Sequence, residues 1–380
     1  MHSLIRISIM ALSAGMGTLF AEMYIRAASR EIVENYSGSP SVLETPLGAL
    51  WRRTKQMPLR EKVGQMLIVG VPDAELSRET SAWLRSERFG GVILLGKNIR
   101  EEQQTRKLIA DIKGAFSGAT APFIAADQEG GAVSRFTFSA TREHTPQSEI
   151  TSPEQARAVA EHRGDELRTL GVNVNFSPVL DVSSSPSDFI HARTFRGDAA
   201  TVSVLGAAMI EGYRRGGIFS AAKHFPGHGG TPTDSHRDLP LIPRSPDLQA
   251  EHTRPFRQAI ERGVPIIMMG HLKIPELDPH VPASLSDAAV RLLRNEFGFR
   301  GIIMTDDLAM GAITGSLPLE RAAAQAIRAG SDMILAVRAK SDYENIENAI
   351  IVAVERGEIS ESQINESVMR ILAVKGGLAP

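Results

Sequence analysis

The sequence predicts a (β/α)8 barrel: an α/β fold of one domain in which eight parallel strands are each followed by a helix. Three observations carry this reading. From about residue 60 onward, short apolar and β-branched runs alternate with longer segments of helical composition. Several runs, such as Met66-Leu67-Ile68-Val69 and Gly301-Ile302-Ile303-Met304, are almost wholly apolar, as parallel strands covered on both faces are. Eight such runs within about 310 residues suit the size of this barrel. An open doubly wound sheet is the alternative. Against it, the first strand is not followed by a Gly-rich dinucleotide fingerprint, and Gly130-Gly131 after a later strand sit in D-Q-E-G-G, which lacks the spacing.

In chain order, Met66–Val71 and Gly91–Leu95 are the first two expected strands, followed by a helix over Glu101–Phe116. Pro122–Ala126 is the third and runs into Asp127-Gln128-Glu129-Gly130-Gly131, with Arg135 close behind. A helix over Pro153–Leu170 leads to Val172–Val179, then Asp181. A helix over Ala199–Arg215 leads to Phe219–Ala222, then Lys223-His224. The helix Asp247–Arg262 precedes Pro265–Met269, which ends in Gly270-His271. Gly301–Thr305 ends in Asp306-Asp307, and the helix Leu317–Ala329 precedes the last strand, Asp332–Val337. Met268, Met269, Met304 and Met310 read as core filler.

The chain has 380 residues, 42% of them hydrophobic and 23% charged, enough for a large core. Its 42 basic and 44 acidic residues nearly cancel and form no basic run, which argues against a nucleic-acid partner. Low aromatic content argues against a base-stacking groove. The sequence holds no cysteine, which excludes disulfides, thiolate catalysis and Cys-based metal sites. The apolar stretch Ile7–Ala21 after Arg6 is short for a membrane span and fits a signal-peptide core. Export to the periplasm, or a membrane tether through this segment, is therefore expected ahead of a cytoplasmic location. Residues 36–48, rich in Ser, Pro and Gly, read as a linker, so that 1–48 form a leader region and 49–380 the catalytic domain.

In a barrel of this kind function sits at the C-terminal ends of the strands. Five of the eight expected strands end there in Asp, Lys or His, which points to a polar pocket. The segment 223–240, KHFPGHGGTPTDSHRDLP, is the densest in chemistry. Lys223 and His224 close a strand, whereas Asp234 and His236 lie on a Gly/Pro/Thr-rich stretch expected to move. An Asp two residues from a His can hold its tautomer and tune it. A strand-end carboxylate, Asp306, plus a loop-borne proton donor, His236, answers the two needs of glycosidic cleavage: one group attacks an oxocarbenium-like centre and another protonates the leaving oxygen. Of Asp306 and Asp307, one is expected to face the axis and the other to support it. Glu129 is the next candidate for the acid. The competing reading makes His224, His228, Asp234, His236 and His271 ligands of a metal-dependent hydrolase. Phe225-Pro226-Gly227 breaks any helix between two of them, and Lys223 would repel a cation. His228 is read as structural, its ring bonded to backbone.

The motifs KHFPGHG followed by DSH, DQEGG upstream and TDDLAM downstream resemble glycoside hydrolase family 3, more narrowly the single-domain bacterial β-N-acetylhexosaminidases of the NagZ type. AGSDMILA and NFSPVLDV match more loosely, and the resemblance runs from Lys62 to Lys375. It implies a (β/α)8 barrel and retaining hydrolysis of terminal β-N-acetylglucosamine, typically from peptidoglycan fragments. By motif, Asp306 matches the nucleophile and His236 with Asp234 the acid/base dyad. Asp127, Arg135, Arg193 in the ARTF element, Lys223 and His224 match residues that bind sugar hydroxyls. The resemblance implies no metal or organic cofactor and a carbohydrate substrate, N-acetylglucosamine-containing peptidoglycan fragments or chitooligosaccharides; the chain itself is expected to be a monomer. Ala132 departs from the pattern, where a larger residue follows the double glycine. Two other classes stay open: a phosphorylase, in which phosphate accepts the sugar, and a non-catalytic sugar-binding protein.

Overall fold

The computed structural model describes residues 46–118 and 120–377; the apolar segment and most of the linker expected from the sequence lie outside the described residues. Eight parallel strands close a barrel in sequential order. They are β1 (Leu67–Gly70), β2 (Gly91–Leu94), β3 (Phe123–Ala126), β4 (Val174–Asn175), β5 (Phe219–Phe225), β6 (Ile266–Met269), β7 (Ile302–Asp307) and β8 (Met333–Ala336). Closure comes from β1 against β8, with Leu67 opposite Ile334 and Val69 opposite Ala336. Every residue of β1, β2, β3, β6 and β8 is buried, as expected of strands packed inside against barrel filling and outside against helices. Met268, Met269, Met304 and Met310 are buried in that core.

The helices that position the site end where local chemistry dictates. Pro153–Leu170 starts with the Ser152 hydroxyl accepting from the Gln155 N–H, and it stops at Gly171, whose φ of 100° suits glycine. Ala199–Arg215 starts with Asp198 accepting from the Thr201 N–H. At the base of the barrel, the buried Asp332 accepts from the Ile303 N–H at 2.8 Å, from Arg370 at 2.8 Å and from Ser367 at 2.9 Å. Arg294 pairs with it as well, so one carboxylate ties β7 and β8 to the outer helices.

Two strands differ from the sequence expectation. β4 forms a continuous ladder over Val174–Asn175 rather than Val172–Val179, with Val179 making an isolated parallel bridge to Lys223. Beyond the ladder, the Asn175 side chain bonds both the N–H (2.9 Å) and the C=O (2.8 Å) of Gln128, which extends the join to the segment after β3 through a side-chain amide. Pro178, which has no N–H to give, follows. β5 continues to Phe225, three residues past the expected end, and carries the polar pair Lys223-His224 inside the strand.

Candidate active site

Two irregularities in the barrel coincide with the chemically distinctive residues. Between Ala222 and Phe225 the β5–β6 register shifts, so that three steps on β5 oppose two on β6. Between Met304 and Asp307 the β7–β8 register shifts in the same way. Bulges re-aim side chains, and here they fall at Lys223-His224 and at Thr305-Asp306. Lys223–His224 and Phe225–Pro226 are cis peptides.

Lys223 is buried, and its Nζ donates to Asp127 Oδ1 at 2.7 Å and to Glu129 Oε1 at 2.6 Å. Arg193 grips the same Glu129 with two bonds, Nε to Oε2 at 2.9 Å and a terminal nitrogen to Oε1 at 2.7 Å. Arg135 approaches Asp127 at 3.9 Å. Burial pushes the Glu129 carboxyl upward, but Arg193 and Lys223 outweigh it and hold the group well below the usual carboxylate range. Burial pulls Lys223 down, and Asp127 and Glu129 more than offset this, leaving its pKa raised. Both charges are therefore fixed. A carboxylate so held has no proton to give near neutral pH, which removes Glu129 from the role of acid and makes it the keystone of two cations. The D-Q-E-G-G motif drew attention to it, but the sequence could not show that Arg193 and Lys223 converge on it.

His224 is turned toward Asp181, with Nδ1 2.7 Å from Oδ2, and its Nε2 lies 3.4 Å from Arg193. The buried Asp181 also accepts from the His224 N–H at 3.2 Å and from the His228 N–H at 2.6 Å. Burial opposes ionisation of Asp181, but His224 and His228 bring it down to about 2. The His228 ring meets the Ser235 hydroxyl at 3.2 Å. Its ring partner is thus a side-chain hydroxyl rather than the backbone group expected. Burial lowers the His228 ring to about 4, which keeps it neutral.

Asp306 accepts from the Asp307 N–H at 2.8 Å. Burial pushes its carboxyl up, yet His224, His271, that N–H and Lys223 bring it below its ordinary value, so it stays ionised. Asp307 is the supporting carboxyl. Its Oδ1 accepts from the Ala309 N–H at 2.9 Å and the Val337 N–H at 3.1 Å, fastening the loop to the end of β8. Burial and the neighbouring Asp306 charge raise it to about 6, against the pull of the Ala309 N–H. His271 spans the Ser284 hydroxyl (2.7 Å) and the Asp307 carbonyl (2.9 Å).

The loop bears Asp234 and His236. Asp234 Oδ1 meets both the His236 N–H at 2.9 Å and ring Nδ1 at 2.8 Å, which leaves Nε2 for proton exchange. Partial burial pushes Asp234 up, and the bonds and charge of His236 bring it below its ordinary value. The His236 side chain is 58% exposed. Buried Arg244 anchors the loop base by donating to the carbonyls of Gly227 (2.7 Å) and Gly229 (2.8 Å). The five residues of the competing metal reading do not converge: Nδ1 of His224 and of His236 is taken by Asp181 and Asp234, and no cluster of three or more His, Asp or Glu suited to a metal occurs among the described residues. The structure thus gathers Asp127, Arg135, Arg193, Lys223, His224 and Asp306 at the strand ends, with Asp234 and His236 on the loop.

This arrangement, an ionised carboxylate near Lys223 and two histidines with an oriented imidazole on a loop, has the elements of acid/base-assisted cleavage at a sugar. The glycosyl hydrolase family 3 N terminal domain matches residues 58–374. The chain belongs to that family, the glycoside hydrolases of family 3. Beta-hexosaminidase LpqI of Mycobacterium tuberculosis is 34% identical over 331 residues, covering 83% of this chain and 82% of the relative. The solved structure of M. tuberculosis LpqI superposes with a TM-score of 0.78 at 32% identity, over 86% of this chain and 96% of that one. A family 3 beta-N-acetylglucosaminidase from Paenibacillus sp. FPU-7 gives a TM-score of 0.80 at 35% identity, over 84% of this chain and 62% of that one; the present chain thus spans about three fifths of that enzyme.

Proposed function

We propose that this chain is a retaining exo-β-N-acetylglucosaminidase that removes terminal β-N-acetylglucosamine, with peptidoglycan fragments as the natural substrate. The observation that carries the reading is the pairing of an ionised Asp306 among His224, His271 and Lys223 with an imidazole oriented by Asp234 on the adjoining loop. The hexosaminide specificity is supported by the relatives named beta-hexosaminidase and beta-N-acetylglucosaminidase. The exported location expected from residues 7–21 suits a cell-wall substrate.

In this mechanism protonated His236 gives its Nε2 proton to the glycosidic oxygen as the C–O bond breaks, while an Asp306 oxygen bonds to the anomeric carbon. Neutral His236 then takes a proton from water, whose oxygen displaces Asp306 and restores the original anomeric configuration. Asp127, Arg135, Arg193, Lys223 and His224 hold the sugar hydroxyls through charged, directional bonds. Two of the three Lys223 N–H groups are already committed to Asp127 and Glu129, so the third is the one left for a hydroxyl.

The test compares 4-nitrophenyl β-N-acetylglucosaminide with the matching β-glucoside, with the first-formed sugar anomer followed by proton NMR. Release from the acetylated substrate alone, with the β-anomer appearing first, is expected. Preference for the glucoside, the α-anomer first, or sugar-1-phosphate in phosphate buffer would overturn it.

A further inference from the structure

Phe189 lies in the segment between β4 and the helix Ala199–Arg215, outside every motif considered above. Its ring centroid is 6.0 Å from that of His236, with 66° between the planes, and 5.7 Å from that of His228 at 45°. Its N–H donates to the Thr231 carbonyl at 3.0 Å, so both its main chain and its side chain meet the loop that carries His236.

The segment presenting this ring is tied to the barrel at its two ends, where Asp181 bonds His224 of β5 and Arg193 bonds Glu129, and it is braced internally. Asp188 is buried and accepts from the Ser183 hydroxyl at 2.7 Å, and its N–H donates to the Ser185 carbonyl at 3.1 Å. His191 Nδ1 lies 3.0 Å from the same Ser183 hydroxyl, and Ile190 is fully buried. The loop's main chain is tied to the segment after β7, but the imidazole it carries is less constrained. His236 is 58% exposed, and among the described residues its ring has a hydrogen bond only to Asp234, its close neighbour on the same loop. A bond to a group that travels with the loop orients the imidazole relative to the loop but not relative to the barrel. Phe189 supplies contact with a fixed part of the barrel. It also touches His228, which is anchored to Asp181 through its N–H.

We infer that Phe189 is a positioning residue for the acid/base imidazole: its ring, fixed to the barrel, seats the face of His236 and sets where the proton is delivered. This rests on the proposed role of His236. Aromatic rings prefer such tilted, edge-directed contacts at these separations. A misplacement of about 1 Å can lower a rate by roughly a hundredfold, so loss of one seating contact is enough to matter.

The test uses the full chain with Phe189→Ala, Phe189→Leu and Phe189→Tyr, and His236→Ala as reference. The substrates are the β-1,4-linked disaccharide of N-acetylglucosamine and 2,4-dinitrophenyl β-N-acetylglucosaminide. Phe189→Ala is expected to lower kcat/KM on the disaccharide by roughly tenfold or more while changing the dinitrophenyl value by less than about threefold, because only the poor leaving group needs its proton in the transition state. Azide should accelerate dinitrophenyl turnover of Phe189→Ala, as the anion attacks the anomeric carbon and displaces Asp306 without a base. Phe189→Tyr should restore the wild-type pattern. Phe189→Leu, which keeps bulk but loses the ring, should fall between. Equal losses on both substrates, or no azide effect, while His236→Ala shows the selective pattern, would overturn the role of Phe189 alone. Equal losses in His236→Ala itself would instead overturn the acid/base assignment beneath it.

Discussion

Gly311 and His236 meet through their main chains: the Gly311 N–H donates to the His236 carbonyl at 3.0 Å, and the adjoining Ala312 N–H donates to the Ser235 carbonyl at 3.2 Å. Gly311 follows β7 by a few residues, so the segment that leaves Asp306 also grips the loop carrying the imidazole. The two halves of the proposed chemistry are joined by two backbone bonds.

A methyl group at 311 would run into the Arg237 carbonyl and lie 2.9 Å from that of His236. Gly311 is not among the glycines with positive φ, so alanine is compatible with its own backbone and the penalty falls on the loop. Gly311→Ala should lower the melting temperature, because the atoms the methyl group meets are main-chain atoms that cannot swing aside. Its kcat/KM on the disaccharide should fall by roughly ten- to hundredfold through displacement of His236. Parallel melting and kinetic measurements check this; wild-type turnover would mean that the loop accommodates the methyl group.

Glu129 carries the charge balance of the floor. Glu129→Gln leaves the buried Lys223 and the partly buried Arg193 with one formal partner, Asp127, between them. Removing one member of a buried ion pair typically destabilises by about 3–5 kcal/mol, and a loss of that order is expected by urea unfolding. Turnover of both activated and unactivated substrates should drop together, which separates this residue from a proton donor.

Asp307 links pH to stability. Its carboxyl is raised from 3.8 to about 6 by burial and by Asp306, so the folded state keeps the proton longer than the unfolded chain. The stability this proton contributes is complete below pH 3.8 and is lost as pH rises through about 6. Asp307→Asn keeps an oxygen for the Ala309 and Val337 N–H groups and removes the titration. Its stability relative to wild type should rise between pH 4 and pH 7, by about 1–2 kcal/mol once partial exposure is allowed for. Urea melts at the two pH values check the sign.

The barrel was legible because buried strands are spelled as apolar runs, and helix ends are spelled by residues such as Ser152-Pro153, Gly171 and Asp198. The residues gathered at the strand ends were legible because polar side chains immediately follow those runs. The short β4 was hidden, since its ladder stops at Asn175, whose side chain bonds Gln128, a partner 47 positions away. Glu129 was seen but misjudged, because its meaning depends on Arg193 and Lys223 arriving from two other strand ends. Phe189 and Gly311 were invisible for a related reason: each acts on the loop through a backbone bond or a ring contact that no local pattern encodes.

The central claim is that Asp306 bonds to the sugar. A 5-fluoro-N-acetylglucosaminyl fluoride should trap that adduct, and peptide mass spectrometry should place the label on Asp306, with Asp306→Ala folded but unlabelled. A label on Asp307, or full turnover in Asp306→Ala, would contradict the account.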